Sequence, residues 1–150
     1  MARRIHDKLK CYPYAESLDD LLNIIEDILT KYKELNMNSG TKFEIASING
    51  VTIPDDYIAF MKKYNGCEGD IGNVWVILDC EEVFIETNSY EFDDRFSEAI
   101  MIGSNGGGEY FGIDGAGNYF VTPAIGGPED TVYLGKTLEE FLDGLNQYFA

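Results

Sequence analysis

Apolar side chains recur every three or four residues in three parts of the chain, a pattern typical of helices with one buried face. Ser17 stands at the capping position of the first part, and Pro54 begins the second at a position that suits proline. In the third part, Thr137 and Glu140 have the spacing of a capping box. The pattern therefore predicts helices over residues 17–35, 53–66 and 137–149.

Short apolar or alternating segments, typical of strands, follow the second of these helices. Residues 73–79 predict a buried strand, with Trp75 in the core as the expected placement and an interface anchor as the alternative. Asp79 then stands at the capping position of a further helix over 80–92, with Glu82 at the capping-box position. Other strands are predicted at 99–103, 109–114, 118–122 and 130–134.

The order of these elements favours one fold class. Helices flank a run of strands that are joined by short turns, which predicts an α+β fold with a mostly antiparallel sheet and helices packed around it. A chain of 150 residues is expected to form a single domain, with residues 1–16 as a loosely held segment. Residues 41–54 fit neither pattern clearly and are predicted to be an extended piece that ends in a turn at 49–50.

Seven glycines fall within residues 103–120, which raises the question of a phosphate or metal site. A dinucleotide-binding turn has G-x-G-x-x-G between a strand and a helix, whereas these glycines have other spacings and a strand follows them. A phosphate loop of the Walker type also needs a lysine, and this stretch has none. In 114–118, Ala116 stands where a calcium loop needs an oxygen ligand. The glycines are therefore expected to turn strands, and no cofactor or metal is predicted.

The net charge and its distribution along the chain indicate the kind of partner that the protein would attract. The chain has a net charge of −16, and residues 64–150 contain only Arg95 and Lys136 as basic side chains. Such a field repels phosphate backbones, so nucleic-acid binding is not expected, while a basic protein partner would be attracted. Solubility alone is the alternative explanation of the acidity.

The side chains needed for familiar catalytic sites are scarce. His6 is the one histidine, which excludes a two-histidine metal site and argues against a Ser-His or Cys-His dyad. The three cysteines form no C-x-x-C pair, as expected of reduced thiols in a cytoplasmic protein. No apolar run approaches the length of a membrane span, so no membrane association is expected. Adjacent acids are plentiful, but neighbouring carboxylates point in different directions and fit helix caps or solvated faces.

Residues 53–72 combine an Ile-Pro helix start with an Asn-Gly end, and residues 99–120 combine a strand, a glycine turn and a second strand. In this order the two segments resemble the SUKH superfamily, which includes the yeast cell-wall-assembly regulator and many bacterial immunity proteins. In 53–72, an Ile-Pro helix that ends in Asn-Gly matches at Ile53, Pro54, Tyr57, Phe60, Asn65 and Gly66. In 99–120, the matching positions are Gly108, Glu109, Phe111, Ile113 and Asp114. The closing helix also fits, so that the resemblance covers roughly residues 17–148. The tight glycine turn and the long 37–52 connection depart from the family pattern.

The resemblance implies an α+β fold and no catalysis. It also implies a protein partner, because bacterial members often bind and neutralise a cognate toxin domain, frequently a nuclease. Together with the acidic second half, this predicts a cytoplasmic immunity protein that covers a basic toxin domain. The expected contacts are acids near the glycine turns and near a loop at 66–72, namely Glu68, Asp70, Asp93, Asp94, Glu109 and Asp114.

Alternatives remain open for individual residues and for the function. Asp114 also fits a turn residue that binds its own backbone, and Glu109 fits a partner of a backbone amide or of Arg95. A regulatory scaffold with an endogenous partner, as implied by the yeast member, would use the same surface. A third possibility is an enzyme that uses paired acids and a divalent metal, which would require carboxylates that converge in the fold.

Overall fold

The computed structural model describes residues 17–89 and 98–149. Four α-helices lie in this part of the chain: α1 (Leu18–Leu29), α2 (Asp55–Tyr64), α3 (Glu81–Ser89) and α4 (Leu138–Tyr148). A 3₁₀ helix spans Pro128–Asp130. The strands are β1 (Leu35–Met37), β2 (Ser47–Ile48), β3 (Val51–Thr52), β4 (Cys67–Ile71), β5 (Val74–Leu78), β6 (Ala99–Ser104), β7 (Glu109–Asp114), β8 (Tyr119–Pro123) and β9 (Val132–Gly135).

Seven strands form one sheet in the order β1-β4-β5-β6-β7-β8-β9, and every neighbouring pair is antiparallel. The short strands β2 and β3 form a separate hairpin around a turn at Asn49 and Gly50, both of which have positive φ angles. From β4 to β9, each strand pairs with the next strand in sequence. The other connections in this part of the sheet are short turns or loops that favour such pairing, whereas the connection between β5 and β6 contains α3. The α+β class predicted from the sequence is confirmed.

The predicted caps of the first and last helices are present. The hydroxyl of Ser17 accepts a hydrogen bond from the backbone N–H of Asp20 at 3.2 Å. The hydroxyl of Thr137 accepts one from the N–H of Glu140 at 3.1 Å, and the Glu140 carboxylate accepts from the N–H of Lys136 at 3.2 Å. These bonds satisfy N–H groups that have no partner inside the helix, which explains why both helices begin where the sequence predicts.

The first helix is shorter than the predicted 17–35, because it ends at Leu29 and the chain turns before Leu35. Leu35 instead begins β1 and lies opposite Gly69 of β4. The apolar residue at position 35 fits a helical spacing, but it belongs to a strand that directs its side chain into the core. Pairing with β4 adds a strand to the sheet, and this tertiary contact overrides the local helical pattern.

The start of α3 also differs from the prediction. The helix begins at Glu81, and the N–H of Glu81 donates to the side-chain oxygen of Asn65 at 2.8 Å. Asp79 lies two residues before the helix, and its carboxylate makes no hydrogen bond with any residue of 17–89 or 98–149. The prediction that Asp79 caps α3 is therefore wrong, since a residue after α2 supplies the cap. Residues 90–92 of the predicted helix lie outside the described residues.

The helices cover one face of the sheet and enclose the core there. Inward side chains of the strands meet the apolar faces of α1, α2 and α4, and the aromatic ring of Phe43 packs against those of Tyr57 and Phe84. A second, smaller buried cluster comprises Ala99, Met101 and Phe120, with Tyr110 packed against it. The edge of β6 beside this cluster is held by Asn88 of α3, whose side chain both donates to and accepts from the backbone of Met101 at 2.9 Å.

Candidate functional site

Strands β4 and β5 bury one face and expose the other. Along β4, Glu68 and Asp70 are exposed between buried neighbours, and along β5 Trp75 is 42% exposed. The placement of Trp75 in the core was therefore wrong. The aliphatic neighbours of this tryptophan are typical of a strand that is buried on both faces. The helices cover only the opposite face of the sheet, however, so side chains along β5 alternate between buried and more exposed positions. The predicted loop at 66–72 was also wrong, since most of it is strand β4.

The strand register brings the two acids of β4 beside apolar side chains of β5. Asp70 lies directly opposite Trp75, and Glu68 lies directly opposite Ile77. Residues opposite each other in an antiparallel pair have Cβ atoms about 5 Å apart on the same face. An acidic row and an apolar row therefore run side by side on the outer face of the sheet.

A glycine loop borders these two rows. Asn105 organises the loop, since its side-chain oxygen accepts hydrogen bonds from the N–H groups of Gly107 and Glu109 at 2.8 and 3.0 Å. Gly106 has a φ angle of 72°, and a methyl group on its Cα would lie 3.7 Å from Ile77 Cδ1 and 3.8 Å from Trp75 Cδ1. The loop thus passes beside both side chains. We call Glu68, Asp70, Trp75, Ile77 and the loop at 105–108 the outer patch.

The ion pairs of the described residues lie elsewhere. Lys31 binds Glu139 at 2.8 Å and so joins the end of α1 to α4, while Lys63 of α2 binds Glu26 of α1 at 2.6 Å. Neither Glu68 nor Asp70 forms an ion pair or a side-chain hydrogen bond with any residue of 17–89 or 98–149. The two lysines join helices to one another, whereas the acids of the outer patch keep their charge exposed to solvent.

Glu109 and Asp114, two other predicted contact residues, lie on β7, which β5 and β6 separate from β4 in the sheet. Asp114 closes the turn after β7, where its carboxylate accepts hydrogen bonds from the N–H groups of Ala116 and Asn118 at 3.0 and 2.9 Å. The turn role that the sequence left open for Asp114 is present. Glu109 begins β7, about 17 Å from Asp114 along the strand, and borders the glycine loop. Asp93 and Asp94 lie outside the described residues.

The side-chain direction of Glu109 differs from that of the outer patch. Tyr110 shares the outer face with Ser104 and Ile77 through the strand register. Because successive side chains of a strand alternate, Glu109 is directed to the opposite side. Its carboxylate makes no hydrogen bond within residues 17–89 and 98–149, so the backbone partner that the sequence left open as an alternative is not found there, and Arg95 lies outside the described residues. Of the six predicted residues, the structure brings together Glu68 and Asp70.

A buried group of titratable side chains was not predicted from the sequence. The hydroxyl of Tyr57 is fully buried and has no hydrogen-bond partner among the described residues. Burial raises the pKa of Tyr57 well above its ordinary value, and electrostatic interactions with Asp79, Cys67 and Cys80 add to this effect. Burial also raises the pKa of Asp79 from 3.8 to about 6. No local sequence pattern marks this group, because its members meet only through the tertiary fold.

Two further structural observations concern metal binding and membranes. Within 17–89 and 98–149, no three or more His, Cys, Asp and Glu side chains are grouped so that they could hold a metal ion. None of the described helices has the length and hydropathy that crossing a membrane requires.

The exposed sheet face of this α+β domain combines acids and a tryptophan, a composition typical of a binding surface. Comparison with protein families agrees with this class: the model of the SMI1 / KNR4 family (SUKH-1) matches residues 43–144. The match spans more than half of the chain, and the chain belongs to this family. Family membership supports a protein-interaction module in general, and the family is generally non-catalytic. None of the curated proteins compared with the chain matches it.

Proposed function

We propose that the protein is an immunity protein that binds and neutralises a cognate toxin domain, most specifically a basic domain of the nuclease type. The observation that carries the proposal is the outer patch, where Glu68 and Asp70 stand exposed beside Trp75. Family membership supports a protein partner, and the charge of the patch supports a basic one.

The electrostatic reason lies in the chemistry of nucleases. An enzyme that holds a phosphate backbone needs lysine and arginine side chains along its groove. An acidic protein surface can occupy the same groove, and long-range attraction accelerates the encounter. Glu68 and Asp70 are placed for this role, because Lys31 and Lys63 pair with the helix acids Glu139 and Glu26 and not with them. Such a protein would act in the cytoplasm, where an incoming toxin domain meets its target.

The other predicted contacts have different places in this proposal. Glu109, at the start of β7 beside the glycine loop, would add charge near the patch and strengthen the attraction. Asp93 and Asp94 stay predicted contacts that lie outside the described residues. Asp114 would act through the turn that its carboxylate organises, since that carboxylate is engaged by three donors of 116–118.

The test is co-expression of the chain with the toxin gene nearest to its own, with growth and complex formation as readouts. Rescue of growth together with a stable complex in a pull-down would support the proposal. Neither rescue nor complex, with the chain folded by circular dichroism, would contradict it. That outcome would favour a regulatory scaffold with an endogenous partner, and affinity capture would be the next step.

A further inference from the structure

The single tryptophan of the chain lies on the exposed sheet face rather than in the core. Its strand buries Val74, Val76 and Leu78 completely or nearly so, but leaves a large part of the indole in contact with solvent. An exposed indole keeps apolar area hydrated, and burying it in a complex is therefore favourable. Tryptophan is also the residue type most enriched where interfaces concentrate their binding energy.

The side chains next to the indole determine which kind of group could bind against it. Asp70 lies directly opposite Trp75, and Glu68 follows on the same strand and the same face. A second copy of this chain would bring acids against acids, and an acidic peptide or an anionic lipid surface would be repelled in the same way. A cationic side chain is attracted both by the carboxylates and by the face of the aromatic ring.

Arginine fits this arrangement better than lysine. Its planar guanidinium can stack on an indole while its N–H groups donate to a carboxylate at the edge of the ring, whereas an ammonium is a point charge that is more strongly hydrated. The glycine loop bounds the site on one side, because Gly106 passes beside Trp75 and Ile77. The hydrogen bonds of Asn105 hold that loop in place before any partner arrives.

We infer that Trp75 and Asp70 form an arginine-binding subsite, in which a guanidinium of a basic protein partner stacks on the indole and donates hydrogen bonds to the Asp70 carboxylate. Glu68 adds a second negative charge beside Ile77 and extends the subsite along β4. This inference deepens the proposed function, since it rests on a basic protein partner and assigns the surface that holds it.

The single tryptophan makes its own fluorescence a reporter of the subsite. The probe is the peptide acetyl-Gly-Arg-Gly-Arg-Gly-amide, titrated to millimolar concentration at low salt, with a lysine peptide and a citrulline peptide of the same sequence as comparisons. Citrulline keeps the shape of arginine but has no charge. We expect the arginine peptide to change the emission of Trp75, the lysine peptide to bind several-fold more weakly, and the citrulline peptide to have no effect.

Asp70→Asn and Glu68→Gln keep the tryptophan and therefore keep the readout. We expect Asp70→Asn to weaken binding of the arginine peptide about five- to tenfold, and Glu68→Gln to weaken it about two- to threefold. Glu82→Gln is the matched control, because Glu82 is an exposed acid of α3, which packs on the other side of the sheet, and we expect no change. Equal responses to arginine and citrulline, or unchanged binding by Asp70→Asn, would overturn the inference.

Failure of the subsite and failure of the proposed function are distinguishable. If the toxin domain is neutralised but the arginine peptide leaves Trp75 unaffected and Asp70→Asn binds the toxin normally, the subsite is wrong and the proposed function stands. If the peptide binds as expected but no toxin is bound or neutralised, the subsite stands and the proposed function is wrong.

Discussion

Tyr119 donates a hydrogen bond to Asp56 at 2.8 Å, although 63 positions separate the two residues in the sequence. The second carboxylate oxygen of Asp56 accepts from the backbone N–H of Leu138 at 2.6 Å. One buried carboxylate thus joins α2, β8 and the first turn of α4. From the sequence, adjacent acids at the start of α2 are expected to be solvated charges at the helix end. In the structure, Asp56 is buried and connects three elements.

Asp56→Ala should destabilise the protein strongly, because it leaves the Tyr119 hydroxyl and the Leu138 N–H buried without this acceptor. We expect a loss of about 2–4 kcal/mol in the free energy of unfolding, measured with urea. Tyr119→Phe removes one donor only and should cost about 1 kcal/mol. Asp27→Ala, on the exposed side of α1, is the control and should change stability by less than about 0.5 kcal/mol. Similar values for the buried and exposed positions would contradict the proposed role of Asp56.

Asn88 should be essential for the order of β6 at Met101. Its amide supplies one donor and one acceptor to the Met101 backbone, and neither leucine nor aspartate can supply both. We expect Asn88→Leu and Asn88→Asp to destabilise the protein by about 2–3 kcal/mol and to accelerate hydrogen exchange at the Met101 amide. Exchange at Met101 that stays as slow as in the parent protein would show that the side chain does not hold this edge.

Stability should fall between about pH 4 and pH 6 because of Asp79. Its pKa is raised by burial from 3.8 to about 6, so the folded state binds a proton that the unfolded state has already released in this range. The stability contributed by the neutral carboxyl is complete below pH 3.8 and is lost as the pH rises through about 6. Tyr57 and Cys67 stay neutral throughout, since burial raises the pKa of both.

Asp79→Asn should remove this part of the pH dependence. At pH 7.5 we expect the variant to be more stable than the parent by about 1–2 kcal/mol, with the partial exposure of the carboxylate limiting the gain. At pH 3.5, where the parent carboxyl is largely neutral, the difference should nearly vanish. Urea unfolding at the two pH values measures both quantities, and a gain of equal size at both would exclude titration of Asp79 as the cause.

The glycines of 103–120 should differ sharply in their tolerance of substitution. Gly103 lies opposite Leu78, and a Cβ at this position would clash with the carbonyl oxygen of Ile77. Gly103→Ala should therefore lower stability by several kcal/mol or prevent folding. The nearest atom to a Cβ on Gly107 would be Asn105 Oδ1 at 3.6 Å, an ordinary contact distance, so Gly107→Ala should cost less than about 1 kcal/mol. Thermal unfolding of both variants tests the contrast, which fails if the two midpoints agree.

The local parts of the fold could be predicted from the sequence. Ser17 and Thr137 mark helix starts because a cap acts on N–H groups only three residues away. The strands around the glycine turns follow from alternation and turn residues within a few positions. The matching positions from Ile53 to Gly66 and from Gly108 to Asp114 predicted the family, which is confirmed over residues 43–144.

The remaining features depend on distant partners. Trp75 and Val76 are both apolar residues of one apolar segment, so the sequence pattern does not distinguish an exposed position from a buried one. The placement of the helices on one face of the sheet decides which of the two is exposed. Asn65 caps α3 because β4 and β5 bring the two ends together, and no spacing rule connects residues 65 and 81. Asp70 and Trp75 become neighbours through the strand register, so the sequence could identify an acidic candidate but not the aromatic side chain beside it.

The association rate of the purified toxin domain with the charge-reversal variant Glu68→Lys/Asp70→Lys, measured at increasing salt, tests whether the outer patch meets the partner. We expect association to slow at least tenfold at low salt and its salt dependence to flatten. The control Glu44→Lys/Glu82→Lys makes the same change in net charge at exposed positions whose neighbours Phe43 and Phe84 pack on the helix side of the sheet, and it should have a much smaller effect. If the two variants associate at equal rates with equal salt dependence, the outer patch is not the surface that meets the partner.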